Sequence, residues 1–355
     1  MKIALNAEAY REPDVYKVER QSIWATEWIM FCTTAELAKS GDYFAGEIAG
    51  FNLLLAVNPE GSIVGFHNVC PHRAGVLAWP GQGTLGNLVC KYHGWAFGWD
   101  GALKSARDFG NEEPLCAEHS ELKKVRVETW GPLVFVCLSE STPPLHQSLG
   151  SLVDKASSFP IETFKYARRM TRELACNWKT YVDNYLEGYH VQLIHPSLNR
   201  SLKMSTYQVS VHDDSYCVHE CEPSDGSPVA GLWLFRFPNL ALNIYPDGMN
   251  VERIMPIGHN KTHVVYDYYS VDTSEENIAR MVAMSNEILD EDQDMCEVVQ
   301  KNLDGGIYQA GPLSPKHEIC LDWFQSKVER SHRERVSPEA SKLRLKSRDL
   351  KSPGC

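Results

Sequence analysis

The rhythm of apolar and polar positions changes three times along the 355 residues. Between residues 10 and 40, Tyr16, Val18, Ile23, Trp24, Trp28 and Met30 fall at uneven helical spacing and predict a partly helical segment. From Tyr43 the pattern shortens to β-type runs at Asn52–Val57, Ile63–Asn68, Leu88–Lys91, Lys124–Thr129 and Leu133–Leu138. Gly and Pro punctuate these runs, as in a small domain of hairpins. The Ser- and Pro-containing chain from Ser141 to Pro160 reads as a linker. Beyond it, Leu232–Phe237, Leu240–Tyr245, Val251–Pro256 and His263–Ser270 read as strands, and a long helix follows from about Glu275 to Leu303. Strands packed on one long helix predict an α+β domain with an antiparallel sheet.

Two short motifs in the β-type region carry metal chemistry: Cys70-Pro71-His72 and Cys90-Lys91-Tyr92-His93. Two thiolates and two imidazoles about one hairpin apart supply a four-ligand site, and spacing alone leaves a zinc ion or a [2Fe–2S] cluster open. The flanking residues lean toward the cluster. Pro71, Arg73, Gly75, Gly94 and Trp95 make two tight loops whose backbone N–H groups can face sulfur, whereas a zinc ribbon is built mainly on Cys-x-x-Cys pairs. Between the motifs, Gly81-Gln82-Gly83-Thr84-Leu85-Gly86 spells a dinucleotide fingerprint in letters. That fingerprint works only between a strand and a helix. Here Trp79-Pro80 precedes it and a β-type run follows, so it reads as a turn joining the two ligand loops, and the chain has no nicotinamide site of its own.

A second constellation lies in Asp183–Pro196. His190 and His195 stand five apart, about 140° round a continuous helix at 100° per residue. Pro196 pushes His195 out of the helical region and lets it turn back toward the face of His190. Glu187 shares that face, three residues earlier. Within the long helix, Asp292 falls in an apolar stripe with Ile288, Met295, Cys296, Val299 and Leu303, while Asp290, Glu291, Asp294 and Glu297 read as a solvated face. A core-facing carboxylate needs a partner, and the pattern leaves a metal or a buried Arg or Tyr equally open. Two neutral imidazoles and one carboxylate are the facial triad of non-haem Fe(II) oxygenases. Cys217-Val218-His219-Glu220-Cys221 also looks ligand-like, but alternation along a strand explains it and no metal is assigned there. Trp233, Phe235 and Tyr245 are candidates for a substrate pocket, with core packing as the alternative.

The two cysteine–histidine motifs, followed by Phe97-Gly98-Trp99-Asp100-Gly101, resemble the Rieske domain in the large subunits of Rieske non-haem iron oxygenases, and the resemblance extends over residues 20–325. It implies a Rieske [2Fe–2S] domain over residues 42–142 with Cys70, His72, Cys90 and His93 as cluster ligands. It further implies a helix-grip catalytic domain over residues 143–328, a helical segment over 1–41 packed with that domain, and leaves 329–355 as a disordered tail. Glu-Asp-x-x-x-Cys-Glu at Glu291–Glu297 matches the position of the family's third iron ligand, so His190, His195 and Asp292 are implied to hold Fe(II). Glu187, where the family often has Asp, is implied to bridge His190 to a Rieske histidine of a neighbouring subunit in a homotrimer or a multiple of it. Asn184 is a candidate catalytic residue beside it. The implied reaction uses O2 and electrons from NAD(P)H, delivered by a separate flavin and iron–sulfur reductase. Asn184–Val191 and Gly311–Glu318 look most like the branch containing choline and related quaternary-amine monooxygenases. A ring-hydroxylating dioxygenase or monooxygenase acting on an aromatic compound is the alternative.

Charge and composition narrow the setting. A net charge of −11 argues against nucleic acid, which requires clustered Lys and Arg. From Arg330 to Cys355 there are eight Lys or Arg against three Asp or Glu, which leaves 27 against 43 in the rest and an acidic body suited to a basic electron-transfer partner. No apolar run approaches the length of a membrane span, and the first 20 residues lack a signal-peptide core, so the expectation is a cytoplasmic protein. Eleven cysteines are then metal ligands and buried thiols rather than disulfides.

Overall fold

The structure, a computed structural model, describes residues 2–110, 117–225 and 231–335. The chain forms two compact units, one built on residues 24–142 and one that joins the first 23 residues to residues 143–333.

The unit over residues 24–142 is mostly β. Its strands are β1 (Ile29–Thr33), β2 (Asp42–Ile48), β3 (Phe51–Val57), β4 (Ile63–His67), β5 (Gly81–Thr84), β6 (Leu88–Val89), β7 (Ala96–Phe97), β8 (Leu103–Ser105), β9 (Lys124–Trp130) and β10 (Leu133–Cys137). Seven make one sheet in the order β1-β10-β9-β4-β3-β2-β5, and β6-β7-β8 make a second. The expected N-terminal helical segment ends sooner than residue 41. Its helix spans Pro13–Ser22, while residues 24–41 belong to the β unit, because β1 is buried at every position and pairs with β10. A strand buried on both faces shows no alternation, so its apolar run carries no period that separates it from a helix. The Gly81–Gly86 motif is not a turn: β5 is an exposed edge strand paired with β2. A Cβ on Gly83 would meet the Tyr43 ring at 2.9 Å, which accounts for glycine there. The next element is a strand, so no helix N-terminus awaits a phosphate.

The other unit is α+β. Strands β11 (Lys165–Leu174), β12 (Gln208–His212), β13 (Tyr216–Glu220), β14 (Leu232–Arg236), β15 (Leu240–Tyr245), β16 (Gly248–Gly258) and β17 (Lys261–Ser270) form an antiparallel sheet in the order β11-β17-β16-β15-β14-β13-β12. Its register lines up His219, Trp233, Asn243, Asn250 and Tyr268 as one row across five strands. Since residues two apart share a face, Phe235, Glu252 and Tyr266 belong to a parallel row on the same side. The long helix, Glu275–Asp304, starts at Ser274, whose hydroxyl accepts from the Asn277 N–H, and packs against β11 and the helix Trp178–Tyr185. Its buried stripe is Ile278, Leu289, Asp292, Cys296, Gln300 and Leu303; Met295 and Val299, expected within it, are exposed at 40% and 38%.

Both ends of this unit hold the Trp178–Tyr185 helix. Glu19, fully buried, accepts from Lys179 Nζ at 2.7 Å, from Trp178 Nε1 at 2.9 Å and from His332 Nε2 at 3.1 Å. Burying one member of such a pair alone is costly, about 3–5 kcal/mol when its partner is removed. His332 lies on the last helix, Ile319–Arg335, which runs past the expected boundary at residue 328 with Val328 fully buried. The disordered tail expected from residue 329 is thus helical to Arg335, and residues 336–355 lie outside the described residues. Among the described residues no helix is long and apolar enough to cross a membrane, and the nine cysteines are free thiols.

Candidate metal centres and the cavity beside them

The two cysteine–histidine motifs form adjacent loops. Cys70 N–H donates to Gly75 O at 2.7 Å, Cys90 N–H to Trp95 O at 2.8 Å, and Lys91 N–H to Val76 O at 2.8 Å, the last tying one loop to the other. Asn68 closes the base of the first loop, its amide oxygen accepting from Leu77 and Ala78 N–H and its amide nitrogen donating to Ala78 O. Gly75 has no room for a Cβ, which would lie 2.9 Å from Cys90 Sγ and 2.8 Å from Tyr92 Cβ. The His72 and His93 rings lie 4.7 Å apart, and His72 stacks on Trp95 at the same separation.

These residues fit a [2Fe–2S] group. Cys70 and Cys90 are buried, and burial pushes the Cys70 thiol up to about 11, with Cys90 beside it adding to the shift. Bare thiolates there are unfavourable, and coordination by iron offsets that. The imidazoles are half-buried, yet their Nδ1 atoms are shut off from solvent and meet no hydrogen-bond partner among the described residues. Two orphaned imidazole nitrogens beside two buried thiols match a cluster with two Cys on one iron and two His on the other.

The second centre is assembled from three separate pieces. Asn177 caps the Trp178–Tyr185 helix, its Oδ1 accepting from Lys179 N–H at 3.0 Å. The helix ends after Tyr185, a short turn of helix covers Val191–Ile194, and another begins at Pro196. His195 sits at the break with φ −118° and ψ 72°, as the following proline requires. The turn buries His195 and carries its Nε2 to 2.9 Å from Asp292 Oδ1, with His190 Nε2 at 3.8 Å from the same oxygen. One donor atom from each of His190, His195 and Asp292 lies within 4.8 Å of the others, the one such trio among the described residues.

Each imidazole is held from behind by a carboxylate. His190 Nδ1 donates to Glu187, which also accepts from the His190 N–H at 3.2 Å, and His195 Nδ1 donates to Glu291 at 2.7 Å. Nδ1 on a carboxylate and Nε2 pointing inward is how metal-bound histidines are fixed, so the trio fits an iron ion. Burial opposes protonation of His195, but Asp292 and Glu291 outweigh it and hold its pKa above the ordinary imidazole value. Asn184 Nδ2 donates to Asp292 Oδ1 at 2.8 Å. The solvated-face reading holds for exposed Asp294 and for Asp290, which pairs with Arg172 at 2.5 Å, but not for Glu291. One helical position from Asp292, Glu291 reaches His195 because that ring needs an acceptor at its second nitrogen, a requirement invisible in the apolar pattern.

Comparison with known proteins agrees with the two cofactors that these residues fit. The sequence matches the Rieske [2Fe-2S] domain over residues 27–125 and the ring hydroxylating alpha subunit (catalytic domain) over residues 161–334. It is 30% identical over 314 residues to the carnitine monooxygenase oxygenase subunit of Escherichia coli (strain K12), covering 84% of this chain and 83% of that protein. The chain belongs to the Rieske oxygenase family. Chloroplastic choline monooxygenase of Arabidopsis thaliana is 29% identical over 342 residues, covering 88% of this chain and 80% of its own. The solved structure of a quaternary ammonium Rieske monooxygenase, described for carnitine oxidation by gut microbiota and for inter-subunit electron transfer, superimposes with a TM-score of 0.83 at 25% identity over 93% of this chain and 95% of that one. As a Rieske oxygenase, the protein is an O2-incorporating oxidoreductase with a [2Fe–2S] cluster and a mononuclear non-haem iron.

A cavity of about 420 Å³ opens beside the oxygenase's His190–His195–Asp292 trio. Trp233 and Tyr245 line it as expected, whereas Phe235 is buried in the core against Phe324. Sequence reasoning missed Glu252, 5% exposed, which accepts from Tyr181 Oη at 2.9 Å and from Asn243 Nδ2 at 2.6 Å. Burial raises its pKa to about 7, against the lowering effect of those two bonds. Only the sheet register brings Glu252, Trp233 and Asn243 to the same face.

Proposed function

We propose that this oxygenase is a monooxygenase of a quaternary amine, which it hydroxylates or demethylates. The cavity carries the reading. Among the described residues its walls bear five carboxylates, on Glu187, Asp247, Glu252, Glu287 and Asp292, against one cation, Arg280. Between them stand the rings of Trp233, Tyr207, Tyr245, Tyr266 and Tyr268, the lining that attracts an alkylated ammonium through its π faces. An arene gains nothing from a carboxylate such as Glu252, whose burial is offset when a cation lies opposite it. The choline and carnitine monooxygenases among the relatives agree with this substrate class.

In this mechanism His190, His195 and Asp292 hold the iron, Glu291 fixes the His195 tautomer, and Asn184 steadies the Asp292 carboxylate. When bound, the iron supplies open positions for O2 and the cluster, held by Cys70, His72, Cys90 and His93, supplies single electrons. Glu187 retains the His190 Nδ1 proton and serves as the bridge to the cluster of a neighbouring copy in a homotrimer. Glu187 and His190 also line a second cavity of about 490 Å³, and exposed Met295, Val299 and Tyr308 lie along it. An apolar rim of that kind suits burial against a second copy of the chain, and the solved relative is described for inter-subunit electron transfer. Electrons enter from NAD(P)H through a separate flavin and iron–sulfur reductase, in the cytoplasm, where free thiols persist.

O2 consumption and product formation with a surrogate reductase, measured on a panel of trimethylammonium compounds and arenes, test the substrate class. Turnover coupled to O2 uptake with a trimethylammonium compound supports it. Coupled turnover confined to the arenes would overturn it.

A further inference from the structure

His219 is a buried polar side chain in the cavity that the reaction as described leaves unused. It lies on β13 at the end of the row that continues through Trp233 and Asn243, is 5% exposed and lines the cavity. Its Nδ1 is 2.7 Å from Tyr207 Oη, and its Nε2 is buried with no hydrogen-bond partner among the described residues. Such an orphan is rare and unfavourable in a folded protein unless a ligand satisfies it. Tyr207 is held there by the chain that carries the iron ligands: a Cβ on Gly188 would collide with the Tyr207 ring, so glycine between Glu187 and His190 lets the ring close down on His219. The ring of Tyr185 flanks the imidazole on another side, with centroids 5.7 Å apart.

In the tautomer in which the Tyr207 hydroxyl donates to Nδ1, the imidazole proton sits on Nε2 and faces the cavity as a donor. Burial lowers the pKa of His219 to about 4, so the ring is neutral at physiological pH.

We propose that His219 is a specificity-determining residue, donating a hydrogen bond from Nε2 to a carboxylate or hydroxyl oxygen carried by the substrate. The inference rests on the reading that this cavity takes the substrate, and it deepens that reading: the preferred quaternary amine bears an oxygen function as well as its charged head. Tyr207 is a positioning residue that acts through the imidazole.

Binding to the iron- and cluster-loaded enzyme tests the assignment by calorimetry with four probes: a trimethylammonium carboxylate, a trimethylammonium alcohol, tetramethylammonium, and the tert-butyl carbon isostere of the carboxylate. His219→Leu should weaken binding of the oxygen-bearing probes by roughly ten- to a hundredfold, the range for one hydrogen bond to a buried donor, and leave tetramethylammonium unchanged. His219→Gln, which retains an N–H donor, should recover part of the loss, and Tyr207→Phe should show a smaller loss with the same selectivity. In turnover the change should appear in KM with kcat spared. Equal loss for tetramethylammonium and the oxygen-bearing probes, or no loss for either oxygen-bearing probe in folded His219→Leu protein with both metals present, would overturn the proposal. If wild type binds the isostere as well as its cationic counterpart, the quaternary-amine reading fails separately. The effect of His219→Leu on the isostere then still decides the role of His219.

Discussion

The two metal centres of this chain are built in opposite ways. The cysteine–histidine centre is local: four donors arrive within 24 residues, on two loops hydrogen-bonded to each other, and its imidazole Nδ1 atoms have no partner among the described residues. The His190–His195–Asp292 centre is assembled from a broken helix and a second helix about a hundred residues later, and each imidazole is pinned by its own carboxylate. In the first, the backbone sets the geometry and the metal group completes the bonding. In the second, distant elements set it, so the outer carboxylates carry a share of the precision that loop geometry supplies elsewhere.

The largest effects separate the centres outright. Cys90→Ser should remove the cluster, its visible absorption and all turnover while leaving mononuclear iron at wild-type stoichiometry. Asp292→Ala should do the reverse, and exposed Asp294→Ala should change neither. Iron and sulfide counts with electron paramagnetic resonance read the outcome; loss of both metals from either variant would mean that the centres are not independently built. A smaller effect sharpens the contrast in outer support. Glu291→Gln should weaken iron binding by about 10- to 100-fold, judged by chelator competition, without touching the cluster.

The smallest effect concerns pH. Glu252 has a folded pKa of about 7, above its ordinary 4.5, so stability from its protonated form is full below about 4.5 and is lost as pH rises through about 7. A bound cation favours the ionised form, and its affinity should rise several-fold between pH 6 and 8. Glu252→Gln should flatten that rise and should gain stability relative to wild type at the alkaline end. A pH-independent wild-type affinity would show that Glu252 does not sense the substrate's charge.

Legibility followed sequence distance. The paired cysteine–histidine loops could be read from two motifs because each loop is defined by its own neighbours. Pro196 announced the break that turns His195 inward, and helix phase placed Asp292 in the core with Asp294 outside. Glu252, His219 and Asn243 could not be found that way: they lie on three strands, and their common face exists only once the register is known. The β1 strand was missed because uniform burial erases alternation. Met295 and Val299 were read as core because helical phase identifies an apolar stripe without saying whether it is covered within the same unit.

Consider what the chain's discontinuity means while it is being made. The unit built on residues 24–142 is contiguous, whereas the other waits for residues near 333 to close over its first 23. At roughly 5–20 residues per second, the gap between leaving the ribosome for the first and completion of the second is on the order of ten to forty seconds. During that interval the cysteine loops can close and be loaded before Asp292 has joined the two histidines. Synthesis thus has an order written into it: the four cysteine and histidine donors of the contiguous unit are complete before the three donors of the other unit have been brought together.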